Sequence, residues 1–421
     1  MRRILILMAL LSVLGACAAP ESGSDTTASA EEGAETTAAA VTTGGGADTE
    51  TTAGGDATGT TGGEGEPILI GANIEQSGGA SVQGEAYANA LNLLVGQIND
   101  AGGVLGRHIE LRVVDNRTDQ TEAAVLTSQL VEEGVVAMIG PGTSPTTLAA
   151  MEPILESGIP VFSMGSSDAI VLPVEERPNV FKTAQNGSLM AEEIVAHLGE
   201  EGITDVGFIS VNNPYGDSGL DAFGTLAEEG SVTVVASEKF EGDANDMSPQ
   251  LTNIMAAGPG AIVTWAIPPG APNVRRSAVE SLGVELPMYF DAGAGAELFV
   301  ELAGEAADGA LVIHPKTLAW DQIPEDDPQY EVLQNFGTSY TAEYGAMSGF
   351  AGYAWDALGM LVAAIEEAGS TEAEAVIAAL EGQDEYVGVT GTFEVSAEDH
   401  QGLGEGDLVL LEVVDGEWVL R

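Results

Sequence analysis

The sequence predicts an α/β fold made of two doubly wound lobes joined by three crossovers of the chain, and three observations predict it. From Pro67 onward, short apolar runs alternate with amphipathic helical stretches, as in parallel sheets that helices cover on both faces. The alternation supplies more strands than one doubly wound sheet comfortably holds, which indicates two sheets. The helices after His314 have no strands between them, so the chain must return to the first lobe and then to the second.

The first lobe begins with the apolar run ILIGANI at residues 68–74. Its first helical stretch has the apolar spacing of an amphipathic helix. The apolar face consists of Tyr87, Leu91, Leu94, Val95 and Ile98. We predict strands at 68–74, 108–114, 135–140, 160–164 and 180–184, helices at about 83–100 and 119–132, and a further helix opened by residues 138–151.

The second lobe repeats this pattern, and the last segments return to both lobes. We predict a helix at 187–200, strands at 205–211, 232–240, 261–266, 288–292 and 310–314, helices at 328–343, 349–367 and 371–381, and a closing hairpin at 408–420. The N-terminal lobe is therefore predicted to comprise residues 67–184 and 317–388, and the C-terminal lobe residues 185–316 and 389–421. Lobes joined in this way can close on a cleft about a hinge.

The N-terminus is typical of a bacterial lipoprotein. A basic start precedes an apolar run from Ile4 to Leu14, which is too short to span a bilayer and fits the h-region of a signal peptide. Leu14-Gly15-Ala16-Cys17 then resembles a lipobox, so residues 1–16 are predicted to be a lipoprotein signal peptide and Cys17 the lipidation site. The alternative is an ordinary signal peptide that ends near a cysteine. Cys17 is the only cysteine, so the sequence predicts no disulfide.

Residues 17–66 are predicted to be the lipidated cysteine followed by a disordered acidic linker of Thr, Gly and Ala, since this composition cannot bury enough apolar surface to fold. The linker would tether a globular body to the extracytoplasmic face of the cell membrane, in the periplasm or at the cell exterior.

The charge balance excludes nucleic acid as a partner. The 421 residues include 66 acidic and 12 basic side chains, so phosphates would be repelled. One interpretation of this charge is a solvated surface that resists aggregation. The other is adaptation to a salty exterior, where ions screen the self-repulsion.

Three junctions between a strand and a helix carry candidate binding residues, because ligands of open parallel sheets bind at the carboxyl ends of the strands. In the first junction, MIGPGTSPTTLAAM, Ser144-Pro145 is typical of a helix N-cap followed by the first helical position. Backbone N–H groups and glycines at such a helix start suit a carboxylate. The alternative is that Ser144 only caps its helix and Gly142 only makes the turn.

The other two junctions are SMGSSDA and NNPYGDSGL. The former offers backbone and hydroxyl donors at Gly165, Ser166 and Ser167, and the latter places Tyr215 at the mouth of the second lobe. The alternative for the latter is a simple Pro-Tyr-Gly turn. Three polar junctions on facing lobes favour a binding site.

No motif of the chain indicates catalysis. The G-x-S-x-G elbow of hydrolases is missing, and GPGTSP lacks the lysine of a nucleotide-binding loop. The acids of residues 240–247 do not have calcium-loop spacing, and no Cys/His pairing predicts zinc. The sequence therefore predicts no enzyme, no metal and no cofactor. The four histidines are scattered at His108, His197, His314 and His400.

Several stretches together resemble the leucine/isoleucine/valine-binding protein family, which consists of type I periplasmic binding proteins of ABC importers with two Rossmann-like lobes. The similarity covers most of residues 67–421. The stretches that carry it are residues 77–116, 138–169, 212–223, 303–312 and 352–370.

The resemblance implies roles for named residues. Ser144, Gly165 and Ser167 would bind a ligand carboxylate, and Tyr215 would help to enclose the ligand. Members that bind amino acids place an acid against the ligand ammonium where this chain has Ala292, with Asp291 adjacent. The resemblance also implies a second enclosing aromatic residue, for which Trp265 is the candidate.

We therefore expect a monomeric, lipid-anchored solute-binding protein that delivers its ligand to ABC permease and ATPase subunits. The ligand would be a branched-chain amino acid or a related small carboxylate or amide, with an aromatic acid also open. The alternatives are a sensory module of the same fold that reports to a signalling partner and, more remotely, an extracellular enzyme.

Overall fold

Two large sheets, built mainly on parallel strands, organise the computed structural model, which describes residues 65–421. The predicted signal peptide at 1–16, the lipidation of Cys17 and all but the end of the predicted linker lie outside the described residues. No helix within residues 65–421 is both long enough and apolar enough to cross a membrane.

The strands and helices follow the predicted alternation, with ends shifted by up to two residues. The strands are β1 Ile68–Ile74, β2 Ile109–Asp115, β3 Ala137–Ile139, β4 Val161–Ser163, β5 Val180–Lys182, β6 Asp205–Val211, β7 Thr233–Phe240, β8 Ala261–Trp265, β9 Met288–Phe290, β10 Ala310–Pro315, β11 Tyr386–Val387, β12 Thr392–Phe393, β13 Leu408–Val414 and β14 Glu417–Leu420. The α-helices are α1 Ser81–Asp100, α2 Gln120–Glu132, α3 Ser144–Ala149, α4 Met151–Ser157, α5 Gly187–Glu200, α6 Pro214–Glu228, α7 Ser248–Ala256, α8 Gly270–Arg276, α9 Glu297–Ala303, α10 Tyr330–Tyr344, α11 Ala351–Ala368 and α12 Ala373–Gly382.

The first sheet contains five parallel strands in the order β2-β1-β3-β4-β5. Its interior strand β1 is buried along nearly its whole length, as expected for a strand that helices cover on both faces. All five strands end at the same edge, so the loops that follow β3 and β4 lie side by side.

The second sheet contains seven strands in the order β14-β13-β10-β9-β8-β6-β7. The strands β6 to β10 run parallel, whereas the C-terminal hairpin β13–β14 adds to β10 in the antiparallel direction. The predicted α/β fold class is confirmed, since both sheets are built on parallel strands that alternate with helices.

The chain passes between the two sheets three times. The first passage joins Lys182 at the end of β5 to α5, whose apolar face packs in the core of the second sheet. The second passage runs through residues 316–323, after which α10 and α11 pack in the core of the first sheet. The third passage lies between Leu403 and Leu408, which belong to the first and the second core respectively.

The late helices cover the first sheet because α11 is apolar on most of its surface. Tyr87 and Leu91 of α1 lie in one core cluster with Leu358 and Leu361 of α11. The predicted boundaries of the lobes stay a prediction. Since side chains as far as Leu403 belong to the first core, we propose that the C-terminal lobe resumes at about residue 404.

Candidate functional site

A cavity of about 90 Å³ lies between the two sheets, where loops from the carboxyl ends of their strands face each other. The residues that line the cavity are Ala80, Gln83, Tyr87, Thr118, Gly142, Thr143, Ser144, Pro145, Met164, Gly165, Ser166, Gln185, Val211, Asn213, Tyr215, Ile267, Ala292, Gly293, Phe350 and Tyr353.

The loop after β3 presents Ser144 to the cavity. The prediction that Ser144 is the N-cap of its helix is wrong by one residue, because Thr143 takes that position. The Thr143 side chain accepts from the N–H of Thr146, and the Thr143 N–H donates to the Thr146 hydroxyl, which together form a capping box. Capping by Thr143 leaves the hydroxyl of Ser144, the first residue of α3, available for another partner.

The hydroxyl of Ser144 connects the loops that follow β3 and β4. Ser144 Oγ accepts from the backbone N–H of Ser167 at 3.1 Å. Within the described part of the chain Ser144 Oγ donates to no other group, so its hydrogen can be donated to an acceptor in the cavity. This arrangement is what an anionic or carbonyl oxygen of a ligand requires.

Gly165 allows the two loops to approach this closely. A Cβ atom at this position would lie 2.8 Å from the backbone nitrogen of Ser144, inside van der Waals contact. Any larger residue would push the loops apart and separate the donors of the first lobe.

A buried lysine supports the loop after β4 from behind. The Lys182 side chain is fully buried, and its Nζ donates to the carbonyl oxygens of Ser166 at 2.9 Å and Ser167 at 3.3 Å. Because C=O and N–H point in opposite directions across a trans peptide, holding the Ser166 carbonyl aims the N–H of Ser167 towards Ser144. Burial lowers the pKa of Lys182 to about 7, against the opposing charges of Asp168 and Asp399.

A buried acid supports the loop after β3 in a similar way. Glu75 Oε1 accepts from the Gly142 N–H at 3.1 Å and the Thr146 hydroxyl at 2.7 Å. Burial raises the pKa of Glu75, although these hydrogen bonds act in the opposite direction. Glu75 thus lies beneath the cavity wall and not in it.

Tyr215 forms part of the opposite wall, at the start of α6. The helix is capped by Asn213, whose side chain accepts from the N–H groups of Tyr215 and Gly216. A Cβ atom on Gly293 would collide with the Tyr215 hydroxyl, so glycine at this position lets the tyrosine pack against the 292–294 turn.

The predicted site residues fall into two groups. Ser144, Gly165, Ser166 and Tyr215 line the cavity together. Ser167, Asp291 and Trp265 do not line it. Their contact with a ligand stays a prediction.

The three residues outside the lining have other partners. Ser167 holds Ser144 through its N–H. The Asp291 carboxylate accepts from the N–H groups of Ala266 and Gly293, at 3.0 Å each, and burial raises its pKa to about 8. Trp265 is fully buried in the second core, where its ring packs against those of Tyr215 and Phe223.

Several lining residues were missed by the sequence reasoning. Gln83, Gln185, Phe350 and Tyr353 lie on α1, on the first passage between the lobes and at the start of α11. Gln185 lies in the junction between β5 and α5, directly after the predicted strand at 180–184, so the junction rule could have found it. Gln83, Phe350 and Tyr353 follow no strand, so the rule could not find them. The available signal was the predicted return of the chain to the first lobe, which brings the start of α11 beside the cleft.

The cavity has an uncharged lining. No Asp, Glu, Lys, Arg or His is among the described residues that line it. No group of three potential metal ligands occurs within residues 65–421. The arrangement can therefore bind a small solute through hydroxyl, amide and backbone groups.

The chain is similar in sequence to known binding proteins. A family model described as "Periplasmic binding protein" matches residues 67–417. A relative from Rhizobium johnstonii, the Leu/Ile/Val-binding protein BraC3, is 24% identical over 316 residues, which cover 74% of this chain and 83% of the relative.

Solved structures share the fold. An extracellular ligand-binding receptor from Rhodopseudomonas palustris superposes with a TM-score of 0.78 at 24% identity, over 85% of this chain and 100% of that chain. The branched-chain amino acid transporter substrate binding protein LivJ from Streptococcus pneumoniae, solved with isoleucine, superposes with a TM-score of 0.73 at 26% identity, over 84% of this chain and 100% of that chain. Structural neighbours of this kind are type I periplasmic binding proteins.

Proposed function

Since the chain belongs to the periplasmic binding protein family, we propose that it is the extracytoplasmic solute-binding protein of an ABC importer. Its ligand is a branched-chain amino acid or a related small carboxylate or amide, held in the cleft between the lobes. The observation that carries the proposal is the cavity between the carboxyl ends of the two sheets, where Ser144, Gly165 and Ser166 face Tyr215.

The mechanism is closure of the lobes on the solute. The first lobe binds a ligand oxygen through the Ser144 hydroxyl, which the N–H of Ser167 orients. The second lobe then moves Tyr215 over the ligand, and the closed state gains population because the ligand contacts both lobes only there. No bond of the ligand is made or broken.

The name of the Streptococcus pneumoniae neighbour supports the transport role, since that protein serves a branched-chain amino acid transporter. In this protein the partners are ABC permease and ATPase subunits, and the permease recognises the surfaces of the two closed lobes. A lipid on Cys17 keeps the protein, as a monomer, at the extracytoplasmic face of the membrane.

Calorimetry on the purified protein tests the proposal. A panel of amino acids, small carboxylates and amides is titrated into the wild type, Ser144→Ala, and the control Ser128→Ala, which alters an exposed hydroxyl on α2. We expect at least one solute to bind the wild type. We expect a carboxylate to bind Ser144→Ala about ten- to a hundredfold more weakly, because a hydrogen bond to a charged group contributes about 1.5–3 kcal/mol.

Two outcomes contradict the proposal. No binding by any member of the panel would refute solute capture. Equal binding of a carboxylate to Ser144→Ala and to Ser128→Ala would remove Ser144 from the site. Circular dichroism of both variants confirms that the fold is intact.

A further inference from the structure

We propose that the ligand is a small carboxylate that carries an uncharged hydrogen-bonding group, such as a hydroxyl or an amide, and no ammonium group. This inference rests on the proposed function and narrows it, since it excludes α-amino acids as the preferred ligands. It follows from which charged groups lie near the cavity and from which buried polar atoms lack partners.

The acids near the cavity are not available to a ligand cation. Asp291 and Glu75 are both fully buried, and neither lines the cavity. One carboxylate oxygen of Asp291 accepts from the N–H of Ala266, and the other accepts from the N–H of Gly293. Glu75 is hydrogen-bonded beneath the loop after β3 through Oε1, and its Oε2, which has no hydrogen-bond partner in the described part of the chain, is buried behind Gly142 and outside the lining. An ammonium in the closed cleft would therefore lack a counter-ion, and an unpaired buried charge is strongly disfavoured.

The groups on the first lobe favour a negative charge. Ser144 can donate its hydroxyl hydrogen, because its oxygen already accepts from the Ser167 N–H. The ammonium of Lys182 lies directly behind the same loop, hydrogen-bonded to the carbonyls of Ser166 and Ser167. A carboxylate placed at this wall accepts from Ser144 and lies across the loop from the Lys182 amine, in a protein whose overall charge is strongly negative.

Three further polar atoms of the lining are uncharged and lack a well-formed hydrogen bond within the described chain. Gln83 Oε1 has no hydrogen-bond partner among the described residues. Gln185 Oε1 and the Tyr353 hydroxyl form no hydrogen bond of good geometry with any of those residues, although these two side chains lie within reach of each other. Their side chains are 8%, 1% and 3% exposed, so water pairs poorly with them. A buried acceptor without a partner is costly, and a ligand hydroxyl or amide N–H would satisfy the two amide oxygens.

The rest of the wall is apolar. Met164, Val211, Ile267 and Phe350 line the cavity between these polar groups. They fit a hydrocarbon body between the carboxylate and the uncharged polar group, and this body excludes water from the hydrogen bonds at either end.

Matched ligand series test the inference by calorimetry on the full-length protein. The leucine series is L-leucine, 2-hydroxy-4-methylpentanoate and 4-methylpentanoate, and the phenylalanine series is L-phenylalanine, 3-phenyllactate and 3-phenylpropanoate. Within a series only the group beside the carboxylate changes. We expect the hydroxy acid of at least one series to bind at least a hundredfold more tightly than its amino acid and more tightly than the unsubstituted acid.

An isosteric variant provides a second measurement. Gln185→Glu places a carboxylate in the lining without a change of shape and should raise the preference for the amino acid over its hydroxy analogue at least tenfold. The control Gln129→Glu makes the same change at an exposed position of α2 and should leave the preference unchanged.

The possible outcomes separate this inference from the proposed function. If an amino acid binds as tightly as its hydroxy analogue or more tightly, the inference is wrong and solute capture stands. If no member of either series binds, the inference is also wrong, and the wider panel decides whether solute capture stands. An unchanged preference in Gln185→Glu, with the fold intact, contradicts the assigned lining.

Discussion

At the scale of single residues, the binding loops depend on buried charges that never reach the cavity. Lys182 holds the carbonyls of Ser166 and Ser167, and Glu75 holds the N–H of Gly142. Each charge fixes a backbone group, and the opposite side of the same loop faces the ligand. Changes at Lys182 should therefore alter binding without removing any ligand contact.

The pH dependence of binding should report on Lys182. Its pKa is about 7 in the empty protein, and a carboxylate in the cavity favours the protonated amine and raises that pKa. Above pH 7 binding then takes up a proton, so the affinity for a carboxylate should fall as pH rises from about 7 to 9. Calorimetry in buffers of different ionisation enthalpy measures this uptake.

The variant Lys182→Met is the matched comparison, because methionine fills a similar volume without an ionisable group. Its affinity should be lower at pH 6.5 and should lose the part of the pH dependence that Lys182 causes. If the wild type and Lys182→Met show the same pH profile, Lys182 does not act on the site.

The sequence predicted four of the site residues that lie at junctions between a strand and a helix. Ser144, Gly165, Ser166 and Tyr215 were found because the carboxyl ends of parallel strands meet at one edge. Gln83 and Tyr353 come from helices far apart in the chain, and their approach depends on how α1 packs against α11. No local pattern encodes such packing, so only the tertiary structure identifies them.

At the scale of elements, α11 joins the late segments to the first lobe through a buried carboxylate. Asp356 accepts from the N–H groups of Val389 and Thr390 and from the Thr390 hydroxyl, at 2.9, 2.8 and 2.5 Å. Asp356 is fully buried, so these donors have no access to water as an alternative. The contact fixes the turn between β11 and β12 on the helix.

Asp356→Asn should destabilise the protein by about 1–3 kcal/mol, because the amide nitrogen replaces one acceptor and leaves a buried donor unpaired. Urea denaturation measures the change. Glu366→Gln, at an exposed position of the same helix, should change stability by less than about 0.5 kcal/mol. Equal stabilities of the two variants would contradict the assigned role of Asp356.

Most helices and strands could be predicted from the sequence, because their apolar residues recur with a regular period. β1, β6 and α5 begin and end at the predicted residues because apolar periodicity and flanking turn residues mark them. β11 and β12 were missed, since two-residue strands are too short to show any periodicity. The predicted N-cap was one residue too late, because Thr and Ser are both good caps. The capping box between Thr143 and Thr146 makes Thr143 the N-cap, and the sequence pattern does not show this pairing.

At the scale of the whole molecule, the net charge of −54 opposes the folded state through self-repulsion. Salt screens charges over a Debye length of about 10 Å at 0.1 M and about 3 Å at 1 M. The melting temperature at pH 8 should therefore rise as NaCl increases from about 0.05 to 1 M. Differential scanning calorimetry measures the rise.

The same salt series at pH 5 is the control, since the net charge is smaller near the isoelectric point of about 4.1. The rise should be smaller there. A melting temperature that does not respond to NaCl at pH 8, or that responds equally at both pH values, would show that repulsion between surface charges does not limit the stability of the folded protein.

The three passages of the chain also have a consequence for folding. The strands of the first sheet are complete at Lys182, but α11, which covers them, ends only at Ala368, and the edge of the second sheet is supplied by residues 408–420. Neither half can reach its final state before nearly the whole polypeptide is available. The two halves must therefore mature together, and a chain truncated near its end would leave an open sheet edge prone to aggregation.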